Sequence, residues 1–443
     1  ITDSEWGKIH WLELKSGIDY REVGYSFEDP LENPDAQLTW LKFPRDTQVD
    51  LSCLPVFTGL TSLGAGQSVQ AEDLKGLGIT GLRGYFDSME EVAGILENPG
   101  GLRRLETAGS PFSIQGIEAF TGLESLVIDS DQIAEERLLV NAKSLKEISV
   151  DMYEGSMDFT LFGMMPWLES LTISSKELRD LGFISKMENL KALHVEYGAF
   201  LTVEPLRERP ELVELSLDSC DELKDMSAVG GLTGLEKLKI DLPYDCPAPD
   251  LSGLTSMKEL YLEGFDETGF LKGMGGLEKL TLDGCMMNNA SDFEGLTSLR
   301  TLKCTSFTGS ERDYSFITRL TALEDLDMNG MTTYKDISGI FGLPALKRVN
   351  ISNMECEINF DKIGENTTLE ELGVDHMKLY KNVKVSGGGG IQYVDWDDVS
   401  FTENVSFLGK FKGLKHLSIR ENELTDLAFA AELPALQTLD FSD

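Results

Sequence analysis

Apolar residues along the chain fall into one short motif, Leu-x-x-Leu-x-Leu, that returns at a nearly constant step. It begins at Leu102 (LRRLET) and recurs at Leu123, Leu145, Leu168, Leu190, Leu212, Leu235, Met257, Leu277, Leu299 and Leu323. Leu346, Leu369, Ile391 (IQYVDW), Leu414 and Leu436 complete the run, with a mean step of about 22 residues. Weaker copies at Leu38, Leu60 and Ile79 extend it to 19 units. The alternation inside each copy sets Leu126 and Ile128 on one side of a strand and Ser125, Val127 and Asp129 on the other. One such coil cannot bury its apolar edge alone. Stacked coils pair their strands at about 4.8 Å and share a continuous core.

The remainder of each unit also follows a rule. In YKDISGIFGLPAL an aspartate, Asp336, precedes a short apolar turn, and Asp225, Asp250 and Asp426 repeat the arrangement. Asp50, Asp180, Asp292 and Asp313 occupy equivalent places. A carboxylate there can accept orphan backbone N–H groups, so these residues are expected to be caps.

These units resemble leucine-rich repeats, most closely the 22-residue class of bacterial internalins. ENELTDL, with Asn422 in the turn after the strand, is the nearest single match. The resemblance implies an α/β solenoid with a concave parallel sheet and short helices or turns on its convex side. It also implies a ladder of backbone hydrogen bonds built by the turn Asn, which most units lack. Cys220 and Cys285 stand at that place, and Lys176, Phe265, Phe307, Met331, Met354 and Met377 fill it elsewhere, so an apolar, irregular turn is expected. Residues 1–37, with Trp6, Trp11, Tyr20 and Tyr25, carry no complete copy and read as a cap for the first coil. Residues 38–443 read as one curved solenoid of about 19 units, irregular near 378–400, where Gly387–Gly390 interrupt the pattern and Trp396 falls at an inward position. The sequence opens on Ile1 rather than Met and stops just after a strand, which reads as trimming or processing of a longer chain.

Composition narrows the function. Of 443 residues 41% are hydrophobic, ample for a core, while the net charge of −37 opposes phosphate backbones and anionic lipid heads. Nucleic-acid binding and direct membrane insertion are therefore not expected; no apolar run approaches the length of a spanning helix. The six cysteines, Cys53, Cys220, Cys246, Cys285, Cys304 and Cys356, lack metal or disulfide-framework spacing and are expected to be free and mostly buried.

No motif for a phosphate loop, metalloprotease, calcium loop or nucleophile elbow occurs, so no catalytic residue, metal site or cofactor is expected. The histidines are His10, His194, His376 and His416; the last three count onto the concave face, no two on adjacent coils. One concave column is unusual. The residue after the second strand leucine is acidic in nine of 16 units, where composition would give about three. Five are consecutive: Glu196, Asp218, Asp241, Glu263 and Asp283. Carboxylates about 5 Å apart repel by roughly 1 kcal/mol even in water. Two readings stand: a stripe that seeks a Lys/Arg-rich partner or bound calcium, or aspartates that close their own turns. Tyr197, Tyr261 and His194 share the face and join the stripe as candidate partner-binding residues. The function expected is a non-catalytic protein-binding solenoid, by resemblance a bacterial surface or secreted recognition or adhesion protein. The alternative is a cytoplasmic scaffold or regulatory subunit, which the unpaired cysteines favour. An enzyme would need a convergent pocket that these repeats do not assemble.

Overall fold

A computed structural model describes residues 11–13, 39–43, 51–52, 54–65, 68–109, 111–286, 289–305, 314–388, 391–399, 405–422, 424 and 427–442. The expectations placed on Cys53, Asp50, Asp313, Phe307, Asp426, His10 and most of 1–37 lie outside these residues, as does the side chain of Trp396. The chain forms two compact units. One comprises Ile1–Leu212 with Asp218–Leu223, the other Val213–Leu217 with Lys224–Asp443.

In the first unit the strands of the long sheet are Trp11–Glu13, Trp40–Lys42, Ser62–Gly64, Gly81–Gly84, Arg104–Ala108, Ser125–Asp129, Glu147–Asp151, Ser170–Ser174 and Ala192–Glu196. Each pairs in parallel with the next in sequence, so that Leu126, Ile148, Leu171 and Leu193 stand in one row. Trp11–Glu13 thus adds a strand inside the segment expected to be a cap. In the second unit, residues 214–217 of the strand Glu214–Asp218 begin the same arrangement. It continues through Lys237–Asp241, Glu259–Glu263, Lys279–Asp283, Thr301–Thr305, Asp325–Asp327, Arg348–Asn350 and Glu371–Gly373. His416–Ser418 and Thr438–Asp440 complete it.

The period-two pattern accounts for the core. The strand leucines are almost wholly buried and the residues between them are partly exposed. Each fully buried Leu or Ile contributes about 1.5–3 kcal/mol relative to exposure. Between successive strands the chain turns, runs back and turns again, and among the described residues most returns carry a short 3-10 helix such as Gly182–Lys186 or Ser227–Gly231. Among the described residues one true α-helix, Met89–Ile95, is capped by Ser88, whose hydroxyl accepts the Glu91 N–H at 3.1 Å.

The aspartate caps form where expected. Asp180, Asp225, Asp250 and Asp336 each accept the backbone N–H two residues on, at 3.1, 2.9, 3.0 and 2.9 Å. Bonds from the Ser252 hydroxyl and N–H hold Asp250 below the ordinary carboxylate range. Burial pushes Asp336 up, but bonds from Lys362, Ser338 and Asn359 outweigh it and leave it lowered. Asp292 differs: it is buried, accepts the Thr268 hydroxyl at 2.8 Å and pairs with Lys272 at 3.0 Å, while Asn289 caps the turn.

One coil of the sequence pattern does not exist. Ile391–Val399, read as a repeat copy, is instead antiparallel to Lys378–Gly388 in a hairpin. Lys378–Gly388 in turn pairs in parallel with Glu355–Glu357, and that strand with Thr332–Asp336. Glu371–Gly373 therefore pairs directly with His416–Ser418. Alternation marks any strand with one buried face, so IQYVDW satisfied the motif without belonging to the stack.

Candidate functional site

The exposed face of the second unit presents three columns of side chains. In the third, Asp241, Glu263 and Asp283 occupy successive register positions, followed by Thr305. Tyr261, in the middle column, donates its hydroxyl to Glu263 Oε2 at 3.0 Å, and Lys239 Nζ lies 5.2 Å from the centre of the Tyr261 ring. The first column alternates in sign through Glu214, Lys237, Glu259 and Lys279, with Nζ–carboxylate distances of 3.4 Å for Lys237–Glu214 and 3.8 Å for Lys279–Glu259. The carboxylate column thus shares its face with Lys237, Lys239 and Lys279, and the face carries a pattern of both signs rather than a uniform field.

The first unit holds the other candidates. His194 and Glu196 lie on the strand Ala192–Glu196, opposite Thr172 and Ser174 in register. Asp218 accepts the Ser219 hydroxyl at 3.1 Å, and its carbonyl takes the Tyr197 N–H at 3.1 Å. Tyr197 is not a strand residue. It occupies the turn at φ 60°, a left-handed conformation rare for a bulky side chain, and its ring meets Tyr153 edge-on at 4.7 Å. Its hydrogen bond to Glu196 pushes its phenol above the ordinary value. Lys176 Nζ sits 3.7 Å over the Tyr153 ring.

Asp241, Glu263, Asp283 and Tyr261 therefore come together in one unit, while His194, Glu196, Tyr197 and Asp218 belong to the other. In the middle column Asp327 and Asn350 close turns by accepting the N–H groups of Asn329 and Ser352 at 3.2 and 3.1 Å. In the acid column it is the backbone carbonyls of Glu263 and Asp283 that take the turn N–H groups of Leu242 and Gly264. Asp397 leaves the column altogether, because its strand is the hairpin's. His376 is not on the strand face either; it lies in the turn at φ 48°, with Nδ1 3.4 Å from Glu421. With the Ile391 copy removed, His376 and His416 fall on adjacent coils, contrary to the spacing read from sequence. Among the described residues no group of three or more His, Cys, Asp or Glu is arranged to hold a metal ion, and no helix is long and apolar enough to cross a membrane.

The Asn position is equally informative. Asn422 Nδ2 donates to Arg420 O at 3.0 Å and, one coil earlier, to Val374 O at 2.7 Å. Cys220 Sγ reaches Asp218 O and Val195 O, and Cys285 Sγ reaches Asp283 O and Leu262 O, in the same two directions. Phe265, Met331, Met354 and Met377 are buried there, whereas Lys176 is exposed.

Sequence reading missed a further column, the residue after the first leucine of each unit. In the first unit it runs Arg103, Glu124, Lys146, Glu169, Lys191, and in the second Glu236, Lys258, Glu278, Arg300, Glu324, Lys347, Glu370, Lys415. The sign alternates at every step, and ion pairs close at 2.9 Å for Lys146–Glu124, 2.7 Å for Lys258–Glu236 and 2.9 Å for Lys415–Glu370. The signal was present in LEKL, MKEL, LEKL and LRTL, read down rather than along.

Coils of this kind define the leucine-rich-repeat fold, an α/β solenoid. The chain is similar in structure to an internalin from Listeria monocytogenes, with a TM-score of 0.53, 19% identity, and 80% of this chain and 89% of that one covered. A leucine-rich-repeat protein from Leptospira interrogans gives a TM-score of 0.55 at 17% identity, covering 81% and 93%. The TLR13–ssRNA13 complex gives 0.50 at 16%, covering 89% and 72%. No protein-family model and no curated protein matches the sequence.

Proposed function

We propose that the chain is a non-catalytic protein-binding module whose partner is basic and docks on the exposed sheet face of the second unit. The observation that carries this reading is the register Asp241, Glu263, Asp283, which brings three carboxylates into one column with Tyr261 beside them as an apolar anchor. Stacked like charges cost stability in the free protein unless a cation relieves them. His194, Glu196, Tyr197 and Asp218 form a second acidic and aromatic patch on the first unit, assigned the same kind of partner. A bacterial surface or secreted role in recognition or adhesion is supported by the fold shared with the two bacterial proteins. The five described cysteines, free and buried, favour the second reading, an intracellular scaffold. A signal peptide and anchor in the full reading frame would decide for the exterior.

Retention on immobilised poly-lysine tests the site. Because the whole chain is acidic, the comparison is between Asp241→Asn/Glu263→Gln/Asp283→Asn and a charge-matched control, Glu118→Gln/Glu188→Gln/Glu208→Gln. The first is expected to elute at clearly lower salt than the second. Coincident elution would remove the site.

A further inference from the structure

The coil between Lys237–Asp241 and Glu259–Glu263 breaks the pattern of its neighbours. Among the described residues of the second unit, every other complete return between two sheet strands carries a 3-10 helix; this one carries Pro243-Tyr-Asp-Cys-Pro-Ala-Pro249 instead. Three prolines in seven residues fix φ at three positions and stiffen the segment without a helix. Tyr244, at its outer edge, is 102% exposed relative to a free residue. A rigid loop that holds a tyrosine wholly in water gains nothing from that ring in the folded state.

Beside this loop a cleft of about 840 Å³ opens between residues 242–252 and 264–270. That volume lies within the range of preformed ligand sites. Leu242, Pro247, Ala248 and Phe270, each at least partly exposed, form an apolar floor above the buried Cys246, Leu251 and Phe265. The lining includes Asp250, Asp266 and Glu267 and no basic residue. Leu242 and Gly264, which also line it, directly follow Asp241 and Glu263, so the cleft continues from the acid column.

We propose that this cleft docks an extended peptide segment of the partner, seating one aromatic or large aliphatic side chain that is flanked by Lys or Arg. The apolar floor takes the side chain, Tyr244 closes over it, and Asp266, Glu267 and the neighbouring Asp241 and Glu263 meet the flanking cations. The inference rests on the reading of a basic partner and adds what that partner presents.

Three labelled peptides titrated into the full chain test it: Lys-Arg-Trp-Arg-Lys, its Trp→Ser form, and Glu-Glu-Trp-Glu-Glu. The first is expected to bind at least tenfold tighter than either of the others. Gly269 lines the cleft and a Cβ there meets nothing within 4 Å, so Gly269→Trp is the variant chosen to occupy the space, with its melting temperature checked against the parent. It should abolish the preference for Trp over Ser while leaving the basic contribution. Asp241→Asn/Glu263→Gln/Asp283→Asn should do the reverse, weakening both basic peptides and keeping the preference. Equal binding of the Trp and Ser peptides, or an unchanged preference in Gly269→Trp, overturns the cleft assignment. Tighter binding of the acidic peptide overturns the charge assignment here and the basic-partner reading with it. If only the triple variant fails to respond, the acid column is wrong and the cleft stands.

Discussion

Asp375 Oδ2 accepts from both Nε and Nη2 of Arg420, at 3.1 and 2.9 Å, across 45 residues of sequence. Its other oxygen takes the Ser418 hydroxyl at 2.7 Å and the Arg420 N–H at 2.8 Å. The pair joins the two coils between which the hairpin is inserted. Charge-assisted bonds in which two guanidinium N–H groups converge on one carboxylate oxygen fix geometry as well as adding energy. Asp375 is thus an acid of the third column spent on the fold rather than offered to a partner.

Replacement of Asp375 by Asn is expected to lower the melting temperature by about 2–4 °C. The same change at Asp241, in the proposed binding column, should not lower it. Parallel thermal scans of the two variants check the contrast. An unchanged Tm for Asp375→Asn would mean the clamp carries no stability.

Cys285 and Cys304 should be inert in the folded protein. Burial pushes the Cys285 thiol up to about 11 and Cys304 further still, so the reactive thiolate is scarce at neutral pH. Alkylation at pH 8 followed by mass mapping should leave both unmodified, and denaturant without reductant should expose close to six thiols in all. The sign for stability follows: the Cys285 contribution is present below 9.0 and is lost as pH rises toward about 11. Rapid labelling of either residue in the folded state would contradict this placement.

The alternating ladder predicts a salt- and acid-sensitive increment. Glu324 lies between Lys347 at 2.7 Å and Arg300 at 2.5 Å, whose bonds hold its carboxyl below the ordinary value. A lowered folded pKa contributes stability above about 4.5 that disappears as pH falls through the folded value. Single exposed pairs contribute little. Their alternation instead penalises a coil that slips to the wrong neighbour, since like charges would then face one another. Glu324→Lys, which sets three cations in a row, should lower Tm at low salt and lose most of that effect near 1 M salt. A salt-independent loss would point to packing instead.

Much of the architecture was legible because its physical cause is local. Leu126 and Ile128 face inward for the reason any strand alternates, and Asp250 caps its turn through a bond two residues long. Asp397 was misplaced because alternation cannot tell a stacked coil from a hairpin strand. Tyr197 was misplaced because the chain leaves the strand one residue earlier, at a positive φ that no side-chain pattern records. The Pro243–Pro249 loop was visible as composition, yet the cleft beside it depends on Phe265 and Asp266 of the next coil. The acid column was readable as far as Asp241, Glu263 and Asp283; Lys237, Lys239 and Lys279 on the same face were equally readable and changed its character.

The triple variant Asp241→Asn/Glu263→Gln/Asp283→Asn, compared with the parent for melting temperature and for association rate with poly-lysine at low and physiological salt, bears most directly on the proposed site. Removing three stacked carboxylates should leave Tm unchanged or slightly higher and slow association, with the difference shrinking as salt rises. A lower Tm with unchanged association would make these residues part of the fold and not of a binding surface.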